Sequence, residues 1–209
     1  MKRFYVLIAV LCLACSAIAQ KADAAFVIGG SFVSDTKGSI FGPAFAENVS
    51  IKTDHHIFLE GALGLRVLNA RLVSLHLDVP VAGVTSQSLS LSSSTVAPGT
   101  VVDHLSTVFV TPGVKVKILP GAPISPWGSI GGGWAHYNLK DAGASQSKGA
   151  LQFGGGLDFK TGLPLLGFRA EVRDFVTSVP DFGLSNIFTS STGFHHHNIL
   201  VGGGIVLRF

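Results

Sequence analysis

The last thirteen residues, 197–209, read HNILVGGGIVLRF and constrain the fold more than any other stretch of the chain. Ile199, Val201, Gly203, Ile205, Leu207 and Phe209 fall on one parity, and Asn198, Leu200, Gly202, Gly204, Val206 and Arg208 on the other. Period two is the strand period, so one face is apolar and the other small or polar. The chain then stops on an aromatic residue with an arginine just before it. A soluble protein has little reason to finish on such a face. A strand whose outer side meets lipid does, because aromatics settle at the membrane interface.

Composition supports a membrane setting without a helical span. Hydrophobic residues make up 47% of the chain and charged residues only 13%, which is unusually apolar for a soluble domain. Yet after residue 19 no window approaches 18 uninterrupted apolar residues, so no transmembrane helix is available. A transmembrane barrel reconciles the two, because every second, lumen-facing position dilutes the apolar ones. Glycine accounts for 26 of 209 residues and forms triplets at 131–133, 154–156 and 202–204. In a small barrel, glycine relieves crowding in the lumen and allows the strand coiling that closure requires.

The N-terminus reads as a cleaved export signal. Lys2 and Arg3 precede an apolar run over 4–14 that is too short to span a bilayer. Ala17-Ile18-Ala19 supplies small residues for cleavage before Gln20, and Ala22-Asp23-Ala24 is a second candidate. The expected organisation is a signal peptide over 1–19 (alternative end at 24) and one barrel domain over 20–209. Cys12 and Cys15 are the only cysteines. A lipoprotein site would want a branched aliphatic residue three before Cys15, where Cys12 stands. Cleavage after Ala19 removes both, and with them any disulfide, thiolate metal site or cysteine nucleophile. It also takes away Lys2 and Arg3 and no acid, so 13 basic residues face 12 acidic ones, a formal charge of +1. Nothing there supports a nucleic-acid partner.

Eight strands are predicted, over about 25–34, 56–68, 71–81, 104–118, 127–139, 150–159, 166–177 and 197–209. Each is long enough to cross a bilayer when tilted, at roughly 9–11 residues. Leu59, Leu63 and Leu65 oppose Glu60, Ala62 and Arg66. Leu75, Leu77 and Val79 oppose Ser74, His76 and Asp78. Val114, Val116 and Ile118 oppose Gly113, Lys115 and Lys117. Phe168, Ala170 and Val172 oppose Arg169, Glu171 and Arg173. The fifth strand is ambiguous. Putting Trp127 and Tyr137 outward spaces them on the order of 33 Å along the strand, or roughly 25 Å vertically at a tilt of about 40°, as an aromatic girdle would be. The competing facing puts Ile130 and Trp134 outward.

The connections alternate. Residues 35–54, 83–102 and 178–195 are long and polar, 141–147 is intermediate, and 69–70, 119–126 and 160–164 are short. The serine-rich 85–95 still alternates at Leu89 and Leu91, so it is either a hairpin continuing above the membrane or disordered. This rhythm, the strand pattern and the terminal Phe209 resemble the eight-stranded OmpA- or OmpW-like barrels of bacterial outer membranes. The resemblance covers nearly the whole chain after the leader and rests on pattern, without a diagnostic motif. It implies an all-β, antiparallel, up-and-down transmembrane barrel in the outer membrane. It also implies long loops outside the cell, both termini on the periplasmic side, and lipids and the barrel insertion machinery as partners, the latter reading the strand that ends at Phe209. Parity alone leaves one rival at the level of fold, a soluble lipocalin-like barrel with its apolar face turned inward.

Candidate chemistry is sparse. His195, His196 and His197 with His55 and His56 would gather near the outer rim, and imidazoles are good metal ligands. Adjacent strand residues point to opposite sides, however, so a polar rim is the simpler reading. His104 and Ser106 share the outward parity of Val108, as a lipid A-modifying hydrolase could require, but no acidic partner or oxyanion hole is evident. No catalytic, cofactor or metal residue is therefore assigned. Glu60, Arg66, Asp78, Lys115, Lys117, Asp158, Arg169, Glu171, Arg173 and Arg208 are lumen-facing by parity. Eight strands leave an interior just wide enough for side chains, so paired charges filling it are expected, centred on Arg169, Glu171 and Arg173. The expected role is structural or surface-interacting. The alternative is narrow porin-like passage of small or apolar solutes, through the lumen or a lateral gap, and a lipid A-modifying enzyme ranks below it.

Overall fold

Alternating faces carry through into eleven strands, with no helix among the described residues. The computed structural model describes residues 22–33, 36–42, 45–53, 56–92, 100–139, 143–178 and 195–209. The strands are β1 (Ala22–Val33), β2 (Thr36–Gly42), β3 (Phe45–Thr53), β4 (His56–Asn69), β5 (Val73–Ser92), β6 (Thr100–Val110), β7 (Gly113–Ile118), β8 (Ile124–Leu139), β9 (Ala144–Lys160), β10 (Leu166–Ser178) and β11 (His195–Arg208). All pairings are antiparallel. β1, β4, β5, β6 with β7, β8, β9, β10 and β11 follow one another as eight staves. The cylinder closes where β1 meets β11, from Asp23 opposite Arg208 to Val33 opposite Asn198. Closure leaves the staves without a free edge, as a membrane requires.

β6 and β7 form one stave interrupted at Thr111 and Pro112. Proline cannot donate to the ladder. Both neighbouring staves nevertheless stay attached there, with Thr111 N–H donating to Pro80 O at 3.3 Å and Gly132 N–H to Pro112 O at 3.0 Å. The short turns 70–72, 119–123 and 161–165 lie at the end that carries Phe209. At the other end the sheet runs on. β5 and β6 stay paired as far as Leu91 and Thr100, so the serine-rich segment continues the hairpin up to Ser92. Residues 35–54, expected as a loop, contain the β2–β3 hairpin, and β3 joins the upper part of β5 from Thr53 opposite Leu89 to Ser50 opposite Ser92.

The facing decides between the two barrel types. Phe26, Ile28, Leu59, Leu63, Val81, Ile130, Phe153, Phe168 and Val201 are all exposed, around the whole circumference. A monomeric soluble protein rarely exposes a contiguous apolar patch beyond a few hundred Å². The charged residues at the same level, Glu60, Asp78, Lys115, Asp158, Arg169 and Arg173, by contrast point inward. The molecule is therefore the inverse of a lipocalin-like barrel, and its exterior matches hydrocarbon.

β8 corrects the expected aromatic girdle. Trp127 and Tyr137 are buried in the lumen, 4% and 1% exposed, while Ile130 and Trp134 face outward at 56% and 53%. With glycine at 128 and at 131–133, and serine at 125 and 129, β8 is small or polar on both parities, so its own pattern carries no direction. The neighbouring stave supplies it. Residues opposite one another share a face. Lys117 lies opposite Trp127, and Val114 opposite Ile130. A lysine cannot face lipid cheaply, so Trp127 goes inside with it.

Candidate functional site

Among the described residues, the lumen is the one place where chemistry-bearing side chains converge. β10 presents Arg169, Glu171 and Arg173 inward, and the register sets glycine beside them: Gly204 next to Arg169, Gly156 and Gly202 next to Glu171, and Gly154 next to Arg173. A methyl group at Gly156 would run into the Trp127 ring and the Ala170 carbonyl, and one at Gly154 into Gln152, Ser129 and Arg173. Two glycine triplets thus make room for two guanidiniums.

Arg169 is a direct cross-strand neighbour of Asp158 and holds it with two parallel contacts, Nε to Oδ1 at 2.8 Å and Nη2 to Oδ2 at 3.2 Å. Lys117 Nζ reaches the same carboxylate at 2.5 Å. Such bidentate, charge-assisted contacts are the strong kind. Arg173 crosses the lumen, with Nε 2.9 Å from Glu60 Oε1 and Nη1 3.3 Å from Asp78 Oδ2. The Glu60 contact is an ion pair without hydrogen-bond alignment. Lys115 Nζ bridges Asp78 at 2.7 Å and Asp23 at 3.2 Å. The Trp127 ring lies among the cations, its centroid 4.9 Å from Arg169, 5.2 Å from Arg173 and 5.8 Å from Lys115. Those distances suit cation–π attraction.

Glu171 is less central than parity suggested. It stands 3.4 Å from Arg173 and 3.9 Å from Arg169, farther than their main partners. Asp23 takes the larger role and is not among the charges the sequence pattern assigns to the lumen, because β1 begins at Ala22, ahead of the start near residue 25 that the pattern predicts. It lies within 4.0 Å of Lys115, Lys117, Arg169 and His76. The missed signal was the alternation Asp23, Ala25, Val27 against Ala24, Phe26, Ile28.

Above this layer, toward the end with the long connections, the lumen turns apolar. Phe58, Phe109, Phe175, Leu105, Leu200 and Tyr137 form a buried cluster. Phe109 stacks on Phe175 at 4.6 Å between centroids and meets Tyr137 edge-on at 6.5 Å. The Tyr137 hydroxyl and Thr177 Oγ1 are 2.6 Å apart. Alternation marks the charged layer in the sequence but not this second one, since inward-facing Phe58, Phe109 and Phe175 look no different from outward apolar residues in an apolar sequence.

Among the described residues, the remaining candidates do not assemble. His197 Nδ1 lies 2.7 Å from Asp174 Oδ2 at the half-exposed rim. His56 and His196 lie near the same rim. His55 and the side chains of His104 and His195 lie outside the described residues. Among the described residues, no three His, Cys, Asp or Glu side chains gather as metal ligands. Ser106 is on the outer side of β6, with Oγ 3.5 Å from the Asn138 carbonyl.

No family model and no curated protein matches the chain. Solved structures do. Neisserial surface protein A aligns over 90% of this chain and 96% of its own, with a TM-score of 0.52 and 9% identity. It has the fold of the eight-stranded outer-membrane barrels. The outer membrane protein OprG from Pseudomonas aeruginosa aligns over 91% of this chain and 97% of its own, with a TM-score of 0.55 and 12% identity. Both likenesses are of fold. The barrel's apolar belt and charged interior supply the physical reason for the same placement in a membrane.

Proposed function

We propose that this outer-membrane barrel is closed to ions and has a structural or surface-interaction role. The observation that carries this reading is the filling of the lumen by two successive layers, an ion-pair network around Arg173 and Arg169 and an aromatic cluster around Phe109. The strands continuing past the barrel at the end with the long connections, β2, β3 and the upper parts of β5 and β6, are where contacts with other molecules would be made. No lateral gap opens at the Thr111–Pro112 interruption, because backbone hydrogen bonds span it on both sides. No catalytic role enters the reading. The leader is taken to leave after Ala19, since cleavage after Ala24 would remove Asp23 from the ion pairs it joins. Purified protein reconstituted into planar bilayers should give no steady single-channel current. A large, stable conductance would overturn the reading in favour of solute transport.

A further inference from the structure

The end of the barrel that carries the short turns and Phe209 holds a cavity of about 100 Å³, below the ion-pair layer. That is well above the roughly 10–15 Å³ a single water needs. Arg66 of β4, Lys117 of β7, Lys160 at the end of β9 and Arg208 of β11 line it, and Asp23 is its one acidic side chain. That carboxylate is already shared among Lys115, Lys117, Arg169 and His76. Lys117 is held by Asp158. Arg66, Lys160 and Arg208 are different. Among the described residues, none of the three has a carboxylate within 4.0 Å. Arg66 Nε is buried without a hydrogen-bond partner. Lys160 gives one hydrogen bond to the Gly121 carbonyl at 2.7 Å. The Arg208 guanidinium lies over Gly167, and Gly167 is the cross-strand neighbour of Lys160, so two cations approach one another over a position with no side chain.

Elsewhere in this lumen each buried cation sits against acids. Cations lining a recess whose single acidic side chain, Asp23, is already engaged constitute a receptor for an oxyanion, and arginine's planar fork suits phosphate in particular. We propose that this mouth binds a phosphate-bearing anion, held by Arg66, Lys160 and Arg208. The group could belong to a free phosphorylated solute or to the headgroup of an anionic lipid in the adjoining leaflet, and the chemistry of recognition is the same.

The test titrates the folded full-length barrel in detergent with inorganic pyrophosphate by calorimetry, then repeats the titration in nanodiscs of phosphatidylcholine and of phosphatidylglycerol. Saturable binding to one site is expected. Lys160→Gln and Arg208→Gln should each weaken it roughly tenfold or more, as loss of a charge-assisted contact does. Arg71→Gln, exposed in a turn at the same end but outside the cavity, should leave it unchanged. Equal affinity in both nanodiscs identifies a free anion. Weaker pyrophosphate binding in phosphatidylglycerol, with that lipid retained by the wild type and lost by Arg208→Gln in native mass spectrometry, identifies a headgroup. Heat-modifiable gel mobility confirms that each variant is folded, and Lys160, exposed at a strand end, is the safer of the two. No saturable binding together with no Arg208-dependent lipid retention overturns the proposal. So does binding that neither substitution alters.

Discussion

Replacing Arg173 by methionine removes one charge and keeps most of the volume. The side chain is fully buried, and its head group contacts Glu60 at 2.9 Å, Asp78 at 3.3 Å and Glu171 at 3.4 Å. The layer contains four cations, Lys115, Lys117, Arg169 and Arg173, and five carboxylates, Asp23, Glu60, Asp78, Asp158 and Glu171. Without Arg173, Asp78 keeps Lys115 at 2.7 Å and Glu171 keeps Arg169 at 3.9 Å, whereas Glu60 has no other cation in contact among the described residues. Breaking a buried pair from one side costs about 3–5 kcal/mol, mostly because the stranded charge stays desolvated. In the folded-to-unfolded ratio that is on the order of a hundred to several thousandfold. If Glu60 is the stranded group, adding Glu60→Gln should return part of the loss, with a coupling of about 0.5–3 kcal/mol. Equilibrium urea unfolding in lipid vesicles, followed by tryptophan fluorescence and heat-modifiable mobility, measures Arg173→Met, Glu60→Gln alone and the double variant, the three that the cycle needs. If Arg173→Met stays within about 1 kcal/mol of wild type and shows no coupling to Glu60, water screens the lumen as it does an exposed ion pair, and the sealed-layer argument fails.

In single-tryptophan variants, quenchers carried on lipid chains should dim Trp134 and leave Trp127 untouched, because the first is 53% exposed on the outer face and the second 4% exposed among lumen cations; quenching of Trp127 at any depth would reverse the facing of β8. Phe109→Ala should cost about 3–5 kcal/mol in the same urea assay, as truncation of a fully buried aromatic does, since Phe109 is 0% exposed and stacked on Phe175; a loss under about 1 kcal/mol would mean that the upper layer is not packed. The mass of the exported chain should correspond to a start at Gln20, and a start at Ala25 would detach Asp23 from the network and refute its role there.

Much of the barrel was legible because in a membrane strand the pattern and the solvent say the same thing twice. Leu59, Leu63 and Leu65 against Glu60 and Ala62, or Phe168 and Val172 against Arg169 and Arg173, have a single stable orientation once one side is hydrocarbon. Strand count, connection rhythm and the identity of most lumen charges follow from that alternation. The outer rim was read less well, for a physical reason. Above the hydrocarbon both faces meet water, so the alternation that marks a strand fades, and β2, β3 and the upper part of β5 read as polar connection.

What the chain determined by itself, then, was which residues share a face along a single strand. It could not determine which residues meet across the lumen, because those partners lie on staves far apart in sequence. Arg173 meets Glu60 and Asp78, and Asp23 meets Lys115 and Arg169, only after closure and stagger bring their strands to one level. The direction of β8 was likewise a property of its neighbour, with Lys117 carrying Trp127 inward through register. The recess left between Arg66, Lys160 and Arg208 is tertiary in the same sense. Local periodicity fixes orientation to one residue in two, whereas pairing across a closed cylinder depends on how every stave is staggered against the next.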